Sequence, residues 1–98
     1  MKRWMAALAL AGAAQAQEVY TTDEGAVYVL DPIEGGAVLV NADDPADEIT
    51  IALDCTASHA VLGQGSWAGD DGGFRVVFKG KELRFDGPIP LDAPECGG

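Results

Sequence analysis

The sequence predicts a small all-β domain, an antiparallel sandwich or barrel with one disulfide, behind an N-terminal signal peptide. Three observations carry that expectation. Apolar residues recur at every second position, the signature of half-buried strands. The apolar runs are short and are separated by clusters of Gly, Pro and Asp, with no helical stretch beyond the leader. Two cysteines stand 41 positions apart in a chain that begins like an exported protein. The 98 residues, 48% apolar and 22% charged, suit one domain. No triplet or heptad period points to collagen or a coiled coil.

The first element is the leader. Lys2 and Arg3 precede an apolar stretch over residues 4–14, and Ala14-Gln15-Ala16 forms a small-x-small cleavage site. The expected division is residues 1–16 as signal peptide and residues 17–98 as a single β domain. The apolar run is shorter than the roughly 20 residues of a membrane helix, and no later segment approaches that length. Membrane insertion after cleavage is therefore not expected, and the domain should be soluble in the periplasm or outside the cell. A lone N-terminal anchor is the alternative.

Strand candidates follow in order. Residues 18–22 supply the first. Residues 26–30 and 37–40 repeat one apolar pattern around Asp31-Pro32-Ile33-Glu34-Gly35-Gly36, which reads as a hairpin with both faces covered. In residues 48–55, Ile49, Ile51, Leu53 and Cys55 share one face, so the strand should carry the cysteine inward. Residues 59–68 form a further candidate. The strongest local signal is residues 74–79 and 82–86 around Gly80-Lys81. A loop with glycine first suits a type II′ turn and would set Lys79 opposite Glu82, Phe78 opposite Leu83, Val76 opposite Phe85 and Arg75 opposite Asp86. The tail from Gly87 is stiffened by Pro88, Pro90 and Pro94. Its Ile89 and Leu91 would either close the base of the core or form a preorganised loop for a partner's cleft.

Export makes Cys55–Cys96 the expected disulfide, and no other pairing is possible. Its loop would add roughly 4 kcal/mol in the chain-entropy picture. That matters because about two dozen large apolar side chains make a modest core. A redox role would want C-x-x-C spacing, and His59 alone cannot complete a zinc site with two cysteines.

Beyond residue 16 there are four basic residues, Arg75, Lys79, Lys81 and Arg84, against sixteen acidic ones, a formal net charge of −12. This repels phosphate backbones, so nucleic acid is excluded first as a partner. A cationic protein partner suits the charge, and solubility alone is the plainer explanation.

The candidate functional residues are few. Asp43, Asp44, Asp47 and Glu48 gather four carboxylates between two predicted strands, and calcium takes six to eight oxygen ligands. The segment lacks the D-x-[DN]-x-[DN]-G loop, and a solvated turn explains it as well. Gly63, Gly65 and Trp67 share a strand face with Gly69, a bare track beside an indole on which a sugar ring or a backbone could lie. The indole filling the core is the alternative. His59 is the only histidine, Ser58 would point away from it, and no nucleophile-elbow motif is present. A pocket of ~300 Å³ or more is not expected in so small a domain. No catalytic residue and no cofactor is assigned.

In outline the chain resembles the small periplasmic lysozyme inhibitors, which are acidic, signal-bearing β-barrels with one disulfide. Their Ser-Gly-x-x-Tyr segment has no counterpart, since Ser66-Trp67-Ala68-Gly69 departs from it, and no residue roles carry over. The resulting expectation is a non-catalytic binding protein, inhibitor-like toward a cationic protein. A calcium- or carbohydrate-binding accessory module is the alternative.

Overall fold

The alternation that predicts strands also closes them into a ring. A computed structural model describes residues 18–96. The strands are β1 (Val19–Thr22), β2 (Val27–Ile33), β3 (Gly36–Asn41), β4 (Asp44–Ala52), β5 (Thr56–His59), β6 (Gly63–Asp70), β7 (Gly73–Phe78) and β8 (Lys81–Asp86). Each pairs antiparallel with the next, and β1 pairs with β8, so the sheet is a closed barrel. Closure removes the free edges that a small sheet would otherwise expose. Of sandwich and barrel, the chain adopts the barrel. The signal peptide expected over residues 1–16 lies outside the described residues.

Eight strands enclose a lumen just wide enough for side chains. Tyr20, Tyr28, Leu30, Leu39, Ile49, Ile51, Trp67, Phe74, Val76, Phe78, Leu83 and Phe85 fill it and are all buried. Phe74 is the hub of an aromatic cluster. It stacks on Phe85 at 4.7 Å and meets Tyr20 at 5.1 Å and Trp67 at 6.3 Å in T-shaped contacts. Offset and edge-on contacts of this kind add about 0.5–1.5 kcal/mol each to the area term.

Turn chemistry sets the registers, and here several expectations change. The β7–β8 hairpin forms, but its loop is Lys79-Gly80 rather than Gly80-Lys81: Phe78 pairs with Lys81, Val76 with Leu83 and Phe74 with Phe85. Gly80 adopts φ +78° at the second loop position, where a side chain would be strained. The slip of two residues preserves the inward face and replaces the expected cross-strand charge pairs. Arg75 now stands opposite Arg84, and Asp70 holds both guanidinium groups, at 3.4 and 3.0 Å. The same Xaa-Gly order turns β2 into β3 at Glu34-Gly35 and β6 into β7 at Asp71-Gly72.

The β2–β3 hairpin is longer than expected, since Asp31, Pro32 and Ile33 continue β2. Among the described residues no second sheet covers its outer face. The half-buried Val29 and Val40 face one another across the ladder, so the continuous apolar runs reflect cross-strand pairing on the outer wall. β4 begins at Asp44 and stops at Ala52, so the acidic segment belongs largely to a strand and not to a loop. Leu53 is exposed, and Cys55 leaves the following turn at φ +74° instead of extending the strand. The candidate over residues 59–68 is divided: His59 ends β5, residues 60–62 form a turn, and β6 follows.

One end of the barrel is closed by the tail. Gly87 N–H donates to Gly72 O, Gly69 N–H donates to Cys96 O, and the Cys55–Cys96 disulfide joins Cα atoms 5.3 Å apart. Leu91 packs on the core while Ile89 is exposed, so only one of the two expected plugs serves.

Candidate functional site

The opposite end is open: among the described residues no chain segment crosses it. The ends of β1, β3, β5 and β7 and the starts of β2, β4, β6 and β8 meet there. A cavity of about 510 Å³ occupies this mouth, lined by Thr22, Glu24, Tyr28, Asn41, Asp44, Asp47, His59, Lys81 and the apolar Ala26, Ala46, Val61, Leu62 and Leu83. It lies within the range of small-ligand sites, against the expectation that so small a domain lacks one.

Its floor is a hydrogen-bond network centred on Asp47. Strand phase builds it: Tyr28 is in step with Leu30, Asn41 with Leu39, Asp47 with Ile49 and Ile51, and His59 with Ala57. Each polar residue thus continues an inward row at the same end of the barrel. The Tyr28 hydroxyl donates to Asp47 Oδ2 at 2.6 Å, and the Asn41 amide donates to the same oxygen at 3.1 Å. His59 Nε2 meets Asp47 Oδ1 at 2.9 Å. The tautomer follows from the other ring nitrogen. Nδ1 accepts the backbone N–H groups of Val61 and Leu62, at 3.0 and 3.1 Å, so it carries no proton and Nε2–H is the donor to Asp47.

Burial alone would raise the Asp47 carboxyl, but the hydrogen bonds from Tyr28, Asn41 and His59 outweigh it and hold the group below the ordinary carboxylate range. Tyr28 moves the other way. Burial first, then its hydrogen bond to the carboxylate, pushes the phenol well above the usual tyrosine range, which keeps it a donor.

A histidine oriented by a carboxylate supplies two of the three members of a catalytic triad, yet the triad's work needs the second ring nitrogen free to take a proton from a nucleophile. In this ring that nitrogen is engaged by two backbone donors. The arrangement therefore fixes the β5–β6 turn and orients Asp47, and it leaves neither ring nitrogen of His59 free to accept a proton from a nucleophile.

The sequence-predicted candidates are placed as follows. Trp67 is only 2% exposed, its indole N–H donating to Ala52 O at 2.7 Å inside the barrel, so it offers no surface to a sugar. Gly65 is likewise no open track. A Cβ there would lie 2.2 Å from Val77 O and 2.8 Å from the Phe78 ring, so the glycine admits Phe78 to the core. Gly63 serves the β5–β6 turn at φ +84°. Of the four carboxylates, Asp47 turns inward, and the exposed Glu48 on β4 is paired with Val40. Asp43 N–H is held by Asn41 Oδ1, and Asp44 Oδ1 accepts Ala46 N–H. They do not converge, and among the described residues no three His, Cys, Asp or Glu side chains could hold a metal ion. Cys55 and Cys96 are joined as expected.

Tyr28 and Asn41 are not among the candidate functional residues of the sequence, and His59 stands there as an ordinary surface or strand residue. The available signal was polar residues continuing an apolar inward phase. Comparison with protein-family profiles, with curated proteins and with solved structures returns no match.

Proposed function

We propose that this barrel is an exported, non-catalytic binding protein that engages a cationic protein partner through its acidic wall. One observation carries the reading: charge is segregated around the barrel. No lysine or arginine occurs between Arg3 and Arg75, so all the cations of the described residues lie on β7, β8 and their turn. Asp70 already neutralises part of Arg75 and Arg84. From β1 to the β6–β7 turn, Asp23, Glu24, Asp31, Glu34, Asp43, Asp44, Glu48, Asp54 and Asp71 are exposed with no lysine or arginine among them. A one-sided field of this kind steers basic partners and raises their association rate.

Other features support the same reading. The disulfide is compatible with an oxidising compartment. Outward strand positions such as Glu48, Thr50, Gln64, Glu82 and Arg84 suit water and not lipid. The occupied ring nitrogens of His59 favour binding over catalysis. A basic hydrolase or a basic envelope protein suits this charge and is the first partner to try.

The test is affinity capture from an envelope extract at low and high salt, with each captured protein purified and its binding measured again alone. The expected species is basic and binds about tenfold more weakly at high salt. Capture of neutral or acidic species only, or binding indifferent to ionic strength, would remove the reading.

A further inference from the structure

The hydrogen-bond inventory of the mouth states which chemistry it still lacks. The Tyr28 hydroxyl proton, the His59 Nε2 proton and one Asn41 amide proton are all spent on Asp47. The cavity lining is therefore rich in acceptors: the remaining lone pair of Asp47, the phenol oxygen of Tyr28 and the carboxylates of Asp44 and Glu24. The donors left over are the second Asn41 amide proton, the Thr22 hydroxyl and Lys81. Beside the acceptors runs an apolar wall of Ala26, Leu62 and Leu83. An occupant that satisfies this lining carries several N–H donors on an apolar stem.

The rim adds a second feature. The β5–β6 turn is fixed by the His59 ring, which binds two of its backbone N–H groups, and the turn projects Val61 at 84% exposure beside the cavity. A rigid apolar projection next to a charged recess is how interfaces place an anchor, since little ordering entropy remains to be lost.

We propose that the open mouth receives one arginine or lysine side chain of the cationic partner, its charged end between Asp44, Asp47 and Glu24 and its stem along Leu62 and Leu83, with Val61 seated on the partner's surface. This rests on the functional reading above and names the contact surface within it. Arginine fits better than lysine, because a planar fork of five donors meets several separated acceptors at once. Lys81 on the rim competes for the same carboxylates.

The test is a heteronuclear NMR titration of ¹⁵N-labelled protein with N-acetyl-arginine amide, using N-acetyl-citrulline amide as the uncharged isostere. The expected result is saturable shifts of the Thr22–Ala26, Asp44–Asp47 and Val61–Leu62 amides with the arginine probe only. Asp44→Asn weakens it about threefold, Lys81→Met tightens it by a similar factor, and Asp71→Asn at the closed end changes nothing. These variants alter exposed side chains, so folding is not at issue, and Asp47 is left intact for its structural role. Equal shifts with citrulline, shifts spread evenly over the acidic wall, or an Asp44→Asn titration matching the parent would overturn the proposal. The two readings fail separately. A captured basic partner whose affinity survives Val61→Asp with Asp44→Asn removes the mouth and leaves the acidic wall. Capture of no basic protein removes the partner itself, and with it this assignment.

Discussion

Asp47 receives three protons inside the barrel mouth that would otherwise lack a partner away from bulk water. Asp47→Asn converts one acceptor oxygen into a donor that must face either the Tyr28 and Asn41 protons or the His59 proton. It should destabilise the fold by about 2 kcal/mol at neutral pH, measured by urea unfolding. The pH dependence has a fixed sign. The folded carboxyl titrates below its ordinary value of 3.8, so its contribution is full above that value and fades as pH falls through the lowered one. The gap between parent and Asp47→Asn should therefore narrow in acid. Tyr28 works oppositely: its raised folded value means stability is lost as pH climbs past the ordinary tyrosine value of 10.0. The sequence singles out Asp47, but for metal binding, because its neighbours in the chain are acids. Its neighbours in space come from β2, β3 and β5, and only the strand registers bring them together.

Strand identity is legible where alternation is clean, as in Ile49 and Ile51 or Phe74, Val76 and Phe78, because burial of one face dictates it. Register is less legible, because a two-residue slip keeps every side chain on its face and only the turn decides. The three Xaa-Gly loops decide it by placing glycine where φ is positive, which explains why Arg75 lies opposite Arg84 and why Asp70 is needed between them. The glycines of β6 pose the same problem in another form, since an absent side chain leaves no trace of what fills its place. Here Phe78 and the Val77 carbonyl fill it. Gly65→Ala should cost about 2 kcal/mol or more, because the nearer obstacle is backbone of β7 and cannot rotate away. Gly63→Ala makes no such collision and should suffer only the turn strain, about 1 kcal/mol. Thermal unfolding of the two variants side by side checks the order; equal losses would show that β6 and β7 part easily at that point.

At the scale of the whole molecule, the two ends of the barrel have different tasks, and the disulfide belongs to the closed one. Cys55 leaves the β4–β5 turn and Cys96 lies in the tail, so the bond ties the tail to the middle of the chain across a separation of 41. It restricts the unfolded chain by about 4 kcal/mol in the chain-entropy picture, a large share of what a domain of this size commands. Replacing both cysteines by serine should lower the thermal midpoint by roughly 15–30 °C. The local consequence is separable from the global one. Without the bond the tail is held mainly by Ala93, Leu91 and the Gly69–Cys96 hydrogen bond. The Gly69 amide should then exchange rapidly while Ile49 and Ile51, deep in the ladder, keep most of their protection. The Tyr28–Asp47–His59 network stands at the other end, on strands whose pairing does not involve the tail, so its amides at Val61 and Leu62 should exchange as in the parent under folding conditions. Loss of protection at both ends together would mean that tail and mouth form one cooperative unit, and that the bond also sets the geometry of the open end.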